Sequence, residues 1–251
     1  DDDFITFRGI QKSIEFLEKN RDYGIAHGEY YSFYIHPNNK KNIIWKKGYI
    51  SESIDQETPQ ERLSYNFSNY DCPTFYGVHR TKILKNIWSL VKNNVDDNRF
   101  SELLLSMLSV IYSKVKKMDG FYCARERLID KDDVPDIFSF MKENTYDQKY
   151  NKFKNCLSLE LSNYAKINKV ESNKIIDKGM NQYLSNINKG KVKPIISLKK
   201  IVIYIIKKLH LFHIIKKIHK NSLLYKIVDP TLELKEFNII KTLIIKYGNN
   251  F

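Results

Sequence analysis

Two hydrophobic periods alternate along the first half of the chain, and this alternation limits the fold more than any other feature. Tyr23 to Ile35 is rich in Tyr, Phe and Ile, as β-strands are, and Val115 to Ala124 has a similar character. Gly9 to Asn20 and Phe100 to Tyr112 instead space their apolar residues three and four apart, which predicts amphipathic helices. Because strands and helices are intermixed, the sequence predicts an α/β domain over residues 1–135.

Shorter signals predict further elements of this domain. Thr58-Pro59-Gln60-Glu61 predicts a helix that begins with a capping threonine, a first-position proline and an acid in the first turn. Pro73 to Val78 is strand-like, Phe4 to Phe7 is predicted to end a strand, and Thr81 is predicted to begin a helix. Trp88 lies on the apolar face of that helix and is therefore predicted to be in the core.

The second half of the chain has a different character. Ile137 to Asn188 predicts a helical extension over residues 136–190, interrupted near Gly179 and Gly190. Residues 191–251 form a basic tail with ten lysines and no acid between Lys191 and Val228, and this segment accounts for most of the formal charge of +13. Helical spacing of its apolar residues predicts amphipathic helices.

Composition excludes several classes of protein. The three cysteines are widely spaced and form no Cys-x-x-Cys or Cys/His cluster, which argues against a disulfide framework or a zinc site and favours a reducing compartment. The longest purely apolar stretch, Ile201 to Ile206, is far shorter than the roughly 20 residues that span a bilayer. A cytoplasmic location is therefore predicted.

Three consecutive carboxylates, Asp1, Asp2 and Asp3, run directly into the apolar residues Phe4 and Ile5. A chain that opens inside a strand pattern without methionine is expected to be the C-terminal portion of a longer polypeptide. Successive strand residues point to opposite faces, so Asp1 and Asp3 would project to one side and approach the same cation. Hard oxygen ligands suit Mg²⁺ or Mn²⁺. The alternative is a solvated acidic loop.

Three further segments follow the acidic triplet in order. They are residues 73–84, 100–104 and 120–127, which read PTFYGVHRTKIL, FSELL and GFYCARER. Together with the triplet they resemble, over residues 1 to about 130, the second half of a GT-A nucleotide-sugar glycosyltransferase, similar to bacterial family 2 enzymes. The resemblance implies a partial, Rossmann-like GT-A domain that lacks its N-terminal half, followed by the helical extension.

The resemblance implies roles for the acidic residues. Asp1 and Asp3, with Asp2 between them, would bind the donor diphosphate through Mn²⁺ or Mg²⁺. Glu102 would accept the proton of the acceptor hydroxyl. The chain has Ser101-Glu102 where the family has paired acids. An acid in the first turn of a helix also interacts favourably with the helix dipole, by about 0.3–1 kcal/mol, and this is the alternative reading of Glu102.

The resemblance also implies roles for basic residues. Arg125 and Arg127 would bind the diphosphate, and the alternative for both is a surface salt bridge with Glu126 or Asp130. His79 and Arg80 would lie on the acceptor side. For His79 the alternative is a capping or core histidine.

The resemblance implies a metal-dependent transfer of a sugar from a nucleotide-diphosphate donor to a glycan or lipid-linked acceptor and, by analogy with the family, inversion at the anomeric carbon. The alternative is a basic nucleic-acid-binding or membrane-surface module without catalysis. No RNP, zinc or helix-turn-helix signature accompanies the pI of about 9.4, so no nucleic acid is expected.

Lysines of the tail would attract an anionic membrane surface at the inner face of the cell membrane, by about 1 kcal/mol each. They are Lys199, Lys200, Lys207, Lys208, Lys216 and Lys217. Alternatively, Leu198 to Leu209 packs on the catalytic domain.

Overall fold

A computed structural model describes residues 3–36, 39–47, 52–71, 74–126, 137–191, 236, 238–243 and 246. Within these ranges a five-stranded mixed sheet is combined with helices, which confirms the predicted α/β class. The strands are β1 (Asp3–Ile5), β2 (Tyr23–His36), β3 (Asn39–Lys47), β4 (Val78–His79) and β5 (Lys114–Glu126). The helices are α1 (Phe7–Lys19), α2 (Pro59–Ser68), α3 (Thr81–Asn94), α4 (Asn98–Tyr112), α5 (Ile137–Phe140), α6 (Tyr146–Ala165) and α7 (Lys169–Lys191).

Strand β5 organises the sheet. The strand order is β1-β5-β2-β3, with β4 paired to β2 beside this path. β5 is antiparallel to β1, where Asp3 lies opposite Arg125, and parallel to β2. β2 is antiparallel to both β3 and β4. This topology places the first described residues of the chain directly beside the end of its last strand.

Three helices begin where the sequence places a capping side chain. The Thr6 hydroxyl accepts a hydrogen bond from the Gly9 amide at the start of α1. Thr58 and Glu61 form the predicted capping box of α2. Asp97 caps α4 by accepting hydrogen bonds from two backbone amides. Such caps supply partners for amide groups that the first turn of a helix leaves unsatisfied.

Two predicted strand boundaries are wrong. β1 ends at Ile5 because Thr6 caps α1, so Phe7 is helical. Residues 74–76, predicted as part of a strand, form a 3₁₀ turn, and only Val78–His79 pairs with the sheet. The carbonyl of Thr74 accepts a hydrogen bond from the amide of Gly77 (3.1 Å) and lies 2.9 Å from Nε2 of His79. These bonds close the backbone into a turn.

The main core joins helices α2 to α7 to one face of the sheet through residues such as Ile25 and Val115, whereas α1 packs on β2 and β5 outside this cluster. α4 is the centre of this core, and α2, α3, α6 and α7 surround it. Phe100, Phe153 and Ile176 belong to the same buried cluster, so the core is continuous across the predicted boundary near residue 135. The predicted core position of Trp88 is wrong, because 51% of its side chain is exposed. None of the helices in the described ranges is both long enough and apolar enough to cross a membrane.

Neither Gly179 nor Gly190 interrupts the helical extension, contrary to the prediction, since α7 continues through both. Gly179 is of further interest. Its role lies in packing against α2. A Cβ atom at this position would lie 2.3 Å from Cδ2 of Phe67, whose side chain is fully buried. The glycine therefore allows the two helices to approach closely. The breaks within the described part of the extension separate α5 from α6, at residues 141–145, and α6 from α7, where Lys166 adopts a left-handed conformation with φ of 54°.

Replacing Gly179 with alanine is expected to lower the free energy of unfolding by about 1–3 kcal/mol, because the Phe67 ring must move. This loss exceeds the roughly 1 kcal/mol that alanine gains over glycine in helix propensity. Urea denaturation followed by circular dichroism measures the change. The matched control is Ser185→Ala at an exposed position of α7, which is expected to stay within about 0.5 kcal/mol of the parent. A stabilising Gly179→Ala would contradict the close helix contact.

Candidate functional site

An ion pair joins the first and last strands. Nε of Arg125 donates a hydrogen bond of 3.0 Å to Oδ1 of Asp3, and both side chains are 24% exposed. The two residues are direct cross-strand partners in the antiparallel β1–β5 pair, so their side chains leave the sheet on one face. The structure therefore brings together two residues that the sequence assigned to a donor diphosphate. Arg125 pairs here with an acid that precedes it by 122 residues in the chain.

The 3₁₀ turn covers this ion pair from one side. The guanidinium of Arg125 lies over the ring of Tyr76, at 4.1 Å from the centroid. The backbone of Tyr76 is fixed in turn, since its carbonyl accepts a 2.8 Å hydrogen bond from the hydroxyl of Tyr122. Burial raises the pKa of Tyr122, which keeps this donor protonated. Arg125 is thus oriented by a carboxylate on one side and an aromatic ring on the other.

The other end of the same turn contacts α4. The amide of Thr74 donates a 3.3 Å hydrogen bond to Oγ of Ser106, which is fully buried. The hydroxyl of Tyr70 lies 3.4 Å from the same oxygen. Ser106 lies one helical turn beyond Glu102. The turn at residues 74–76 therefore links the helix that carries Glu102 to the Asp3–Arg125 ion pair.

Glu102 is exposed and lies one helical turn before Ser106, whose Oγ is 3.4 Å from the hydroxyl of Tyr70. The ring of Tyr70 makes an edge contact with that of Tyr183, with centroids 5.6 Å apart. Burial is the main cause that raises the pKa of Tyr183. The solvent-facing carboxylate is thus one helical turn away from the residue that Tyr70 contacts.

The helix-dipole alternative for Glu102 loses its basis. α4 begins at Asn98, so Glu102 is its fifth residue and lies in the second turn, and the first turn contains no acid. Asp97 already supplies the carboxylate that accepts hydrogen bonds from the first amides of the helix. The favourable interaction with a helix dipole falls off within the first turn. The capping of α4 is therefore complete without Glu102.

His79 and Arg80 are held by backbone carbonyl groups. Nε2 of His79 lies 2.9 Å from the carbonyl of Thr74, and burial lowers the pKa of this half-buried histidine. Arg80 donates hydrogen bonds to the carbonyl groups of Tyr23 and, at the C-terminal end of α1, of Leu17 and Asn20. Because α1 is about 20 Å long and begins next to β1, these partners lie at the far end of the helix from Asp3. Arg80 joins α1 to the start of α3.

Several predicted positions lie outside the described residues. They are Asp1, Asp2, Arg127, Cys72 and the six tail lysines named above. In the part of the chain that the structure describes, no group of three or more His, Cys, Asp or Glu side chains comes together. Cys123 and Cys156 are free and buried, and burial raises the pKa of their thiols to about 12 and about 11.

Comparisons with known proteins found no similar family, protein or structure for this chain. Sequence reasoning missed Tyr70, Tyr76, Ser106 and Tyr183, which connect the two ends of the site. Tyr76 lies inside the segment PTFYGV, and the break in its strand pattern at Gly77 was the available signal.

Proposed function

We propose that this chain is the C-terminal part of a GT-A glycosyltransferase domain that transfers a sugar from a nucleoside-diphosphate donor to a glycan or lipid-linked acceptor. The observation that carries the proposal is the Asp3–Arg125 ion pair. It joins two separate motifs of the resemblance at one edge of the sheet, 3.0 Å apart. A third motif, the one that contains Tyr76, covers the same guanidinium.

The charges of this pair suit a diphosphate bound with a divalent cation. An arginine can donate two parallel hydrogen bonds to phosphate oxygens. Mg²⁺ in nucleotide sites is usually held by one or two carboxylates together with phosphate oxygens. Asp3 fits this requirement, because only its Oδ1 atom is used by Arg125 and no further ion pair or hydrogen bond involves its side chain within the described residues. When bound, Mn²⁺ or Mg²⁺ would offset the negative charge that develops on the leaving diphosphate.

Glu102 is the proposed general base. In the reaction, the acceptor oxygen forms a bond to the anomeric carbon while the bond between that carbon and the diphosphate breaks. The proton of the acceptor hydroxyl passes to the carboxylate of Glu102. This attack from the side opposite the leaving group inverts the anomeric configuration. Tyr70, whose hydroxyl contacts Ser106 one helical turn beyond Glu102, and its partner Tyr183 offer aromatic surface against which an acceptor sugar can pack.

The test uses the complete natural polypeptide that contains these residues. It is incubated with a panel of nucleotide sugars and Mn²⁺, and release of the nucleoside diphosphate is measured. Turnover is expected to disappear on addition of EDTA and to return with excess Mn²⁺. Asp3→Asn should lower turnover about a hundredfold, because the carboxylate ligand and the partner of Arg125 are both weakened.

The matched control is Asp147→Asn, which removes an exposed carboxylate from the first turn of α6. It is expected to leave turnover unchanged. Turnover that persists in EDTA and in Asp3→Asn would exclude a cation site at the start of the sheet. Absence of release from every donor, combined with an oligonucleotide shift at physiological salt, would favour the nucleic-acid alternative.

A further inference from the structure

The outward side of α3 carries a tryptophan between two lysines. Lys85, Trp88 and Lys92 are spaced three and four residues apart, so they lie on one face of the helix, hereafter the α3 outer face. All three are exposed, and Trp88 retains 51% of its accessible surface. The opposite side of α3, with Ile87 and Val91, is buried in the core. The tryptophan is therefore not needed to anchor the helix.

The positive charge of α3 is not balanced locally. The helix contains Lys82, Lys85 and Lys92 and no acid, and none of these lysines makes an ion pair within the described ranges of the chain. The two acids that follow the helix are already paired. Asp96 binds a lysine of α6 at 3.1 Å and Asp97 another at 3.6 Å. The α3 outer face is thus both aromatic and cationic.

We propose that the α3 outer face binds an anionic lipid surface. Tryptophan prefers the boundary between hydrocarbon and water, where its ring is buried and its N–H remains hydrated. Lysine side chains on either side can extend to anionic headgroups while their methylene stems cover apolar surface. The complementary charge of the headgroups favours this partner. The inference rests on residues of α3 alone and does not depend on the proposed transfer reaction.

The emission of Trp88 reports on this face separately from the basic tail. The chain has two tryptophans, so Trp45→Phe leaves Trp88 as the single probe. This variant is mixed with vesicles of equal parts phosphatidylcholine and phosphatidylglycerol, and with vesicles of phosphatidylcholine alone. The expected result is a blue shift, together with quenching by brominated lipid, on the anionic vesicles only. Circular dichroism confirms that the variant is folded.

Adding Lys85→Gln and Lys92→Gln is expected to weaken vesicle binding about tenfold to thirtyfold, since each lysine near the surface contributes about a fivefold effect. Lys174→Gln with Lys178→Gln is the matched control, because it removes the same charge from an exposed part of α7. It should weaken binding less than threefold. The proposal is overturned if Trp88 emission stays unchanged while the protein binds vesicles, or if both lysine pairs have equal effects. It is also overturned if Trp88 responds to a single-stranded oligonucleotide and not to lipid.

Discussion

Replacing Arg62 with methionine is expected to lower the free energy of unfolding by about 3–5 kcal/mol. The side chain is 5% exposed, and its guanidinium donates four hydrogen bonds to backbone carbonyl groups. Two of these carbonyl groups, of Val110 and Ile111, belong to the last turn of α4 and accept at 2.7 and 2.9 Å. The other two, of Gln56 and Glu57, precede α2. Methionine fills a similar volume but donates nothing.

The loss arises mainly from the carbonyl groups left behind. The final carbonyl groups of a helix have no partner within it, and they carry the negative end of the helix dipole. Arg62 satisfies two of them with a positive charge in a buried place. Burial is the first cause that lowers the pKa of Arg62, although an arginine stays protonated in a folded protein. Removing the side chain would leave these carbonyl groups without a donor between the start of α2 and the end of α4.

Urea denaturation of the parent and three variants tests this expectation. Arg62→Lys keeps the charge but has no planar fork of donors. Its free energy of unfolding should therefore fall by less than that of Arg62→Met, but by more than half as much. Arg21→Met removes an exposed arginine that follows α1 and should change the free energy of unfolding by no more than about 0.5 kcal/mol. If Arg62→Met costs as little as Arg21→Met, the four hydrogen bonds do not contribute to stability as described.

Arg62 also illustrates what the sequence could and could not predict. The capping box at Thr58 and Glu61 is encoded within four residues, and it was predicted. The partners of Arg62 are backbone atoms up to 49 residues away, and a backbone carbonyl leaves no mark in a sequence. The helical period predicted α1, α3 and α4 for the same reason that the capping box was found: both are local.

The misplaced elements all depend on non-local packing. Trp88 has the spacing of a core residue, but the neighbouring elements cover α3 from the other side. Gly179 has a low helix propensity, which the tight contact with Phe67 overrides. The strand pattern at residues 74–76 gives way to a 3₁₀ turn, and the amide of Thr74 in this turn donates a hydrogen bond to Ser106 of α4, 32 residues away. Tertiary contacts decided each of these positions.

The candidate site shows the same division. The order of motifs along the chain pointed to Asp3, Glu102 and Arg125 individually. Their arrangement depends on the β1–β5 register and on the packing of the 3₁₀ turn against α4, and neither follows from spacing. The roles of Tyr76 and Ser106, which connect the two ends of the site, therefore did not follow from the sequence, although the break at Gly77 marked the turn that contains Tyr76. The candidate residues could be recognised from short stretches of sequence, whereas their arrangement depends on contacts between residues far apart in the chain.

Glu102→Gln is expected to lower kcat for sugar transfer about 10²- to 10⁴-fold, because glutamine keeps the shape of the side chain but cannot accept the proton of the acceptor hydroxyl. The dissociation constant for the donor with Mn²⁺ should change by less than about twofold, since the proposed donor site uses Asp3 and Arg125 rather than Glu102. Initial rates of sugar transfer at saturating substrate give kcat. Isothermal titration calorimetry with the nucleoside diphosphate and Mn²⁺ gives the dissociation constant.

Because of the position of Glu102, this test can distinguish a catalytic effect on kcat from a loss of folding stability. Its side chain is exposed and lies in the second turn of α4, so the amide should change the free energy of unfolding by no more than about 0.5 kcal/mol. Glu18→Gln, at an exposed position of α1, is the matched control and should retain full kcat. If Glu102 is the base, Glu102→Asp, which keeps a carboxylate on a side chain one methylene shorter, should be more active than Glu102→Gln. Full turnover in Glu102→Gln would remove this residue from the mechanism, and a larger loss in Glu102→Asp than in Glu102→Gln would show that the shape of the side chain matters rather than its basicity.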